Sequence, residues 1–86
     1  MPGINMYHEN TITATYDGVE DSTYYFTDDD RNTYSFQDIE QEVLESYDLS
    51  NEFLIGLKFQ VSYRIEGSLN GETYETYIIV NLSVLE

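Results

Sequence analysis

The side chains of this sequence that could do chemistry are almost all carboxylates. Its 86 residues include 17 Asp and Glu against three Lys and Arg, one His and no Cys, and the formal net charge is −14. A pair of carboxylates can act as general acid and base, but with so many present their occurrence carries no information. The chain has no phosphate-cradling glycine-rich loop and no interpretable Ser-His-Asp arrangement, and its single His8 lies near the amino terminus. The sequence predicts a protein that is not an enzyme and uses no cofactor.

One acidic segment begins like a calcium-binding loop. Asp28, Asp30 and Asn32 have the first three spacings of an EF-hand. The sixth position is Thr33 rather than Gly, and the twelfth is Ile39 rather than Glu. The segment also runs into a predicted strand. These departures favour a tight hairpin turn, and no metal site is predicted.

Alternation of polar and apolar residues predicts that most of the chain forms β-strands. The predicted strands cover residues 11–16, 22–27, 33–37, 57–66 and 73–85. Turns are expected at Asp17-Gly18, which opens an acidic loop with Glu20 and Asp21, at 28–32, and at Asn70-Gly71. The last strand is apolar on both faces, which is typical of a strand that bends so that its halves serve different parts of a closed sheet.

Between the third and fourth strands the period changes to that of a helix. The apolar residues spaced along one helix face are Ile39, Val43, Leu44 and Tyr47. Asp38 is the predicted N-cap, and Gln41 completes a capping box three residues later. Residues 48–56 are interpreted as a connector containing one helical turn.

The resulting order, β-β-β-α-β-β, predicts a mainly β protein. It is the order of the OB-fold, a small five-stranded barrel, here with the helix plugging one end. A curved, open antiparallel sheet with the helix on one face follows from the same order. Residues 1–10 are interpreted as an N-terminal extension, flexible or added to a sheet edge, and residues 11–86 as a single OB-like domain.

From Asn10 to Glu86 the chain resembles OB-fold proteins, and its spacing is weakly similar to that of a cold-shock domain. Aromatic side chains of that family stack on single-stranded bases, and the matching positions here are Tyr24, Phe26 and Phe36. The Lys, both Gly and the His of the family motifs are absent. The resemblance implies single-stranded nucleic-acid binding through these rings. The alternative is that the rings form the core and that Tyr25 is the exposed one.

The acidic residues define the expected partner. A surface of carboxylates can imitate phosphates and steer the protein onto a basic cleft, although acidity can also serve solubility alone. In character the chain is similar to small acidic inhibitors that phages make against host defence, including anti-CRISPR proteins. We expect a nucleic-acid mimic that occupies a basic nucleic-acid-binding site on a protein. The predicted contact residues are Asp17, Glu20, Asp21, Tyr25, Asp28, Asp29, Asp30, Glu40, Glu42 and Glu45.

Two other functions stay open. One is a structural OB-like interaction module whose acidity serves solubility, and the other is the single-strand binding described above. The negative charge disfavours direct binding to nucleic acid or to anionic membranes, and no run of about 18 apolar residues occurs. The start of the sequence has no signal-peptide pattern, so the expected location is the cytoplasm, that of a bacterial host if the origin is a phage. Both monomer and homodimer remain compatible with the sequence.

Overall fold

In the computed structural model, which describes residues 8–67 and 75–85, six strands and one α-helix form a mainly β fold of the predicted class. The strands are β1 His8–Glu20, β2 Thr23–Asp28, β3 Thr33–Phe36, β4 Asp38–Ile39, β5 Lys58–Gly67 and β6 Glu75–Leu85. The helix α1 spans Gln41–Ser46, and a 3₁₀ turn spans Glu52–Leu54. Among the described residues, no helix is long and apolar enough to cross a membrane.

The sheet curls into a barrel because its two end strands are neighbours in the chain. The strand order is β3-β2-β1-β5-β6-β4, and only Gln37 separates β3 from β4. β4 pairs parallel to β6, whereas the other neighbouring strands are antiparallel. The mainly β class with one helix that the element order predicted is confirmed. The sheet has six strands rather than five because a short strand, β4, follows the predicted third strand at the place where the helix was expected to begin.

The interior of the barrel is filled by aromatic and aliphatic side chains. The ring of Phe26 lies at its centre, with centroid distances of 5.1 Å to Tyr16, 5.7 Å to Phe36 and 6.2 Å to Phe59. These edge-on and tilted geometries are the ones that aromatic pairs prefer. Phe26 and Phe36 are fully buried. They are therefore core residues, and they present no ring face to a nucleic acid.

β1 is longer at both ends than the sequence predicted. It begins at His8, so residues 8–10 of the predicted extension pair with β5. At its other end it continues through Asp17-Gly18, where a turn was expected. Tyr16 pairs with Phe26 and Gly18 with Tyr25, which leaves Asp17 as the extra residue of a β-bulge.

The turn between β1 and β2 lies at Asp21-Ser22 instead. Both residues have positive φ, 52° and 64°, as a two-residue hairpin turn of the primed type requires. Gly18 in the bulge has a φ of 123°. The predicted turn at Asp17-Gly18 is wrong because bulges and turns both use a glycine at positive φ, and the local sequence signal does not separate them.

The helix is shorter than predicted and starts later. Asp38 and Ile39 lie in β4, so Asp38 is not the N-cap. The N-cap is Glu40, whose side chain makes no capping hydrogen bond. Pairing with β6 holds this segment extended, and the capping-box prediction fails for that reason. Val43 is the helix residue buried in the core.

β6 contains a bulge that moves its inward-facing positions from one face to the other. Ser62 pairs with Asn81 but Tyr63 with Ile79, so Val80 is the extra residue. Ile79 and Leu82 are consequently both part of the core. The bend predicted from the two apolar faces is thus located at this bulge. The predicted turn at Asn70-Gly71 lies outside the described residues.

Candidate protein-binding surface

The predicted contact residues lie in three separate places. Asp17, Glu20, Asp21 and Tyr25 lie at the β1–β2 hairpin, residues 28–30 form the β2–β3 turn, and the glutamates 40, 42 and 45 lie on or beside α1. The six residues of β2, about 20 Å at ~3.3 Å per residue, separate Glu20 and Asp21 from the β2–β3 turn. Asp17 lies closer to that turn, because its carboxylate accepts a hydrogen bond from the Thr27 hydroxyl. The acidic surface is therefore divided into patches.

In the β2–β3 turn, the carboxylate of Asp28 is committed to the fold. It accepts hydrogen bonds from the backbone N–H of Asp30 at 2.9 Å and of Asn32 at 2.8 Å, from the side chain of Asn32 at 3.1 Å and from the hydroxyl of Tyr34 at 3.2 Å. The bond from the Asn32 backbone is the main cause that lowers the pKa of Asp28. Asp29 pairs with Lys58 at 3.3 Å, which leaves Asp30 as the exposed carboxylate of this turn without a hydrogen bond among the described residues.

Beside the helix, Glu40 has a cationic partner that its own helix does not supply. Arg64 of β5 donates to Glu40 at 3.2 Å and to Glu66 at 2.9 Å. Burial lowers the pKa of Arg64, but its bonds to the two carboxylates outweigh burial and raise it. Glu42 and Glu45 are exposed and take part in none of the ion pairs of the described residues.

At the hairpin the structure forms a groove. Two open hollows of about 420 and 490 Å³ lie side by side and share Val19, Leu49 and Ser50 in their lining. We call the pair the hairpin groove. One wall is the end of the β1–β2 hairpin and the other is the segment 44–55. Leu49, at 2% exposure, forms the floor.

The hairpin groove combines apolar and acidic side chains. Val19 is 39% exposed, Leu44 38% and Ile55 48%, and the nearby Phe53 is 88% exposed. Tyr25 also lines the groove and is half-buried. The carboxylates in the two linings are Asp17, Glu20, Asp21, Asp48 and Glu52.

Sequence reasoning missed the apolar part of this surface. The helical spacing predicts Leu44 on the buried face of the helix, and residues 48–56, with Phe53 and Ile55, are predicted only as a connector. A signal was present, since a connector holding Phe53-Leu54-Ile55 in three consecutive positions cannot turn all of them inward. Asp48 and Glu52 are in the groove as well, although they were not among the predicted contacts.

A third hollow, of about 360 Å³, is lined by the rings of Tyr34, Tyr63 and Tyr77. Tyr63 and Tyr77 are stacked with a centroid distance of 5.7 Å. Burial is the main cause that raises the pKa of Tyr63 and of Tyr34, so these phenols are protonated at neutral pH.

Within residues 8–67 and 75–85, no group of three or more His, Cys, Asp and Glu side chains could hold a metal ion. Comparison of the chain with models of protein families, with curated proteins and with solved structures finds no match. Its function is therefore inferred from its own surface.

Proposed function

We propose that this protein is a non-catalytic acidic binding protein that occupies a basic, nucleic-acid-binding site on a partner protein. The observation that carries the proposal is the excess of exposed carboxylates without cationic partners. Lys58 and Arg64, two of the chain's three cations, are already engaged with Asp29, Glu40 and Glu66. Apart from Asp28, whose carboxylate is committed to the β2–β3 turn, the other exposed acidic side chains of the described residues are thus available to a cationic surface.

The negative charge of the protein should speed its association with a basic partner and should make it compete with nucleic acid. A net charge of −14 attracts a basic cleft from a distance and raises the association rate, and salt weakens that attraction. Glu42 and Glu45 are three residues apart on α1, which places their side chains as neighbours on the helix surface. A row of phosphates offers a basic cleft the same kind of negative charge, so the partner's own nucleic acid competes for the cleft.

The test is a competition experiment with a matched pair of variants. The tagged protein is incubated with lysate of its native host at low and at high salt, with and without duplex DNA. We expect a basic nucleic-acid-handling protein that is retained at low salt, released at high salt and displaced by DNA. Glu45→Lys should weaken its retention several-fold more than Glu75→Lys, which makes the same charge change at an exposed glutamate in β6.

Two outcomes would count against the proposal. A partner retained regardless of salt and DNA would favour the second candidate, an interaction module that binds through apolar contacts. The exposed apolar side chains of the hairpin groove are the observation that favours this candidate. Absence of any partner would assign the acidity to solubility.

A further inference from the structure

Hydrogen bonds with Tyr16 of β1 fix the hairpin groove to the barrel. The Tyr16 hydroxyl donates to the carbonyl oxygen of Leu49 at 2.6 Å, which holds the floor of the groove. The backbone of Tyr16 also bonds to Leu57 and Gly56, each at 2.9 Å, and these bonds hold the far end of the connector. Both walls are therefore anchored to the same strand, β1. A groove formed in advance in this way loses little conformational freedom when a ligand enters.

Its apolar side chains have no cover within the described chain. Val19, Leu44 and Ile55 come from three separate segments, and each keeps more than a third of its surface exposed. Single exposed apolar residues are ordinary, but a group that lines one concave surface marks a binding site. The two hollows, about 420 and 490 Å³, lie within the usual size range of ligand sites.

The charges at the rim restrict what can occupy the groove. The described residues lining it include five carboxylates and no Lys or Arg. A purely apolar occupant would take those carboxylates out of water without partners, which is costly. A purely cationic occupant would leave the apolar surface exposed. A second copy of this chain is disfavoured, since each copy carries a charge of −14.

We propose that the hairpin groove binds a short amphipathic basic segment of the partner protein. Apolar side chains of that segment lie between Val19, Leu44 and Ile55, and its Lys or Arg side chains pair with Asp17, Glu20, Asp21, Asp48 and Glu52. This is the helix-in-groove mode of recognition, with charge pairs along the edges. The inference rests on the proposed function, because it names the part of the basic partner that is held most tightly.

The test uses defined peptides rather than the unknown partner. A fluorescent amphipathic helix of Leu and Lys, about 14 residues or ~20 Å long, is titrated with the protein. The comparison ligands are a peptide of the same composition in an order without an apolar face, and oligolysine of the same charge. We expect the amphipathic peptide to bind at least about tenfold more tightly than either, and to keep part of its affinity at high salt, where exposed charge pairs are screened.

Matched variants then locate the binding site. Leu44→Ser should weaken binding of the amphipathic peptide about tenfold, the loss of a buried apolar contact. Leu85→Ser changes an equally exposed leucine, 39% against 38%, at the end of β6 and should leave affinity within about twofold. Ile55→Ser is the second groove variant, and circular dichroism of each variant verifies that it is folded.

The outcomes separate this inference from the proposed function. The groove is not the binding site if Leu44→Ser and Ile55→Ser, both folded, bind the amphipathic peptide as tightly as the wild type does. The same holds if the wild type binds all three ligands equally. Either result would overturn the groove even if a basic partner is captured from lysate. Peptide binding that depends on Leu44, together with no salt-sensitive partner in lysate, would uphold the groove and overturn the nucleic-acid mimic.

Discussion

The hydroxyl of Tyr16 donates a hydrogen bond of 2.6 Å to the backbone carbonyl oxygen of Leu49, which lies 33 residues further along the chain. Tyr16 is completely buried, and its ring lies against Phe26 and Phe59. Its polar end therefore has a partner although its ring is part of the core. The bond joins the first strand to the segment between α1 and β5.

Removing this hydroxyl should destabilise the protein. Tyr16→Phe keeps the ring but leaves the buried carbonyl of Leu49 without its donor. We expect the free energy of unfolding to fall by about 1–3 kcal/mol, measured by urea denaturation. Tyr25→Phe, at a half-buried tyrosine without a hydroxyl bond among the described contacts, is the control and should change stability by less than about 0.5 kcal/mol. An unchanged midpoint in Tyr16→Phe would contradict the role of the bond.

The same tyrosine should make stability depend on alkaline pH. Burial, with smaller effects of Tyr24 and Asp48, raises the pKa of Tyr16 to about 12, against 10.0 for a free tyrosine. Between these values the unfolded chain has lost the proton while the folded protein keeps it, so stability is complete below pH 10 and is lost as the pH rises toward 12. Denaturation midpoints across this range should fall more steeply in the wild type than in Tyr16→Phe, in which Tyr34 and Tyr63 still contribute. Parallel pH profiles of the two proteins would be the contrary result.

Gly18 should tolerate no side chain. Its φ of 123° is one that L-residues rarely adopt, and a Cβ there would lie 3.4 Å from Cδ1 of Ile55. Gly18→Ala should lower thermal stability by about 1–3 kcal/mol. Gly56→Ala imposes similar backbone strain, since its φ is 95°, but meets nothing within 4 Å. Because 3.4 Å is an ordinary van der Waals separation, the strain of positive φ should dominate in both variants, and similar losses are expected. An unchanged stability of either variant would contradict the strain.

Arg64 should contribute more to stability than Lys58. It bonds to Glu66 of its own strand and to Glu40, the residue that follows β4. Because β6 lies between β5 and β4 in the sheet, the side chain of Arg64 links β5 across β6 to the end of β4. Arg64→Gln should cost about 1 kcal/mol, and Lys58→Gln, which breaks the more exposed pair with Asp29, should cost at most about 0.5 kcal/mol. Both variants remove one positive charge, so their general effect on self-repulsion is the same. Equal melting temperatures of the two variants would contradict the larger contribution of Arg64 to stability.

Asp28 should support stability at neutral pH and lose that effect in acid. Its pKa is lowered, mainly by the hydrogen bond from the Asn32 backbone. A carboxylate with a lowered folded-state pKa stabilises the protein above the ordinary aspartate range, and this contribution is lost as the pH falls below that range. Asp28→Asn should be less stable than the wild type at pH 7 and should approach it in acid. Asp30→Asn is the control and should differ little from the wild type, whereas an Asp28→Asn deficit that persists in strong acid would oppose this reading.

Alternation of side chains was sufficient to predict the fold class, because the period of two reports directly which residues can face a core. Details that depend on partners distant in sequence were not predictable. Asp38 has the local features of an N-cap, yet its neighbour strand is β6, 40 residues away. The Asp17-Gly18 pair is compatible with a turn and with a bulge, and only the pairing of Gly18 with Tyr25 decides between them.

The acidic character of the surface was predictable from composition, but its organisation was not. The carboxylate of Glu40 forms an ion pair with Arg64 of β5, and the sequence of the helix does not reveal this partner. The hairpin groove unites Val19, Leu44 and Ile55, which are brought together by the closure of the barrel and by the Tyr16–Leu49 bond. A surface made from three distant segments leaves no contiguous pattern in the sequence.

Gln37 occupies the seam at which the barrel closes. Its backbone N–H donates to the carbonyl oxygen of Tyr77 at 3.1 Å, and its side-chain oxygen accepts the Tyr77 N–H at 3.0 Å. The Gln37 side chain thus takes the place of a backbone carbonyl in the hydrogen bonds to β6. After Gln37, only the two residues of β4 continue the pairing with β6. Side-chain amides rotate more freely than a backbone, so amide protons along this seam should exchange with solvent sooner than those between β1 and β5. We therefore expect local opening of the barrel to begin at Gln37.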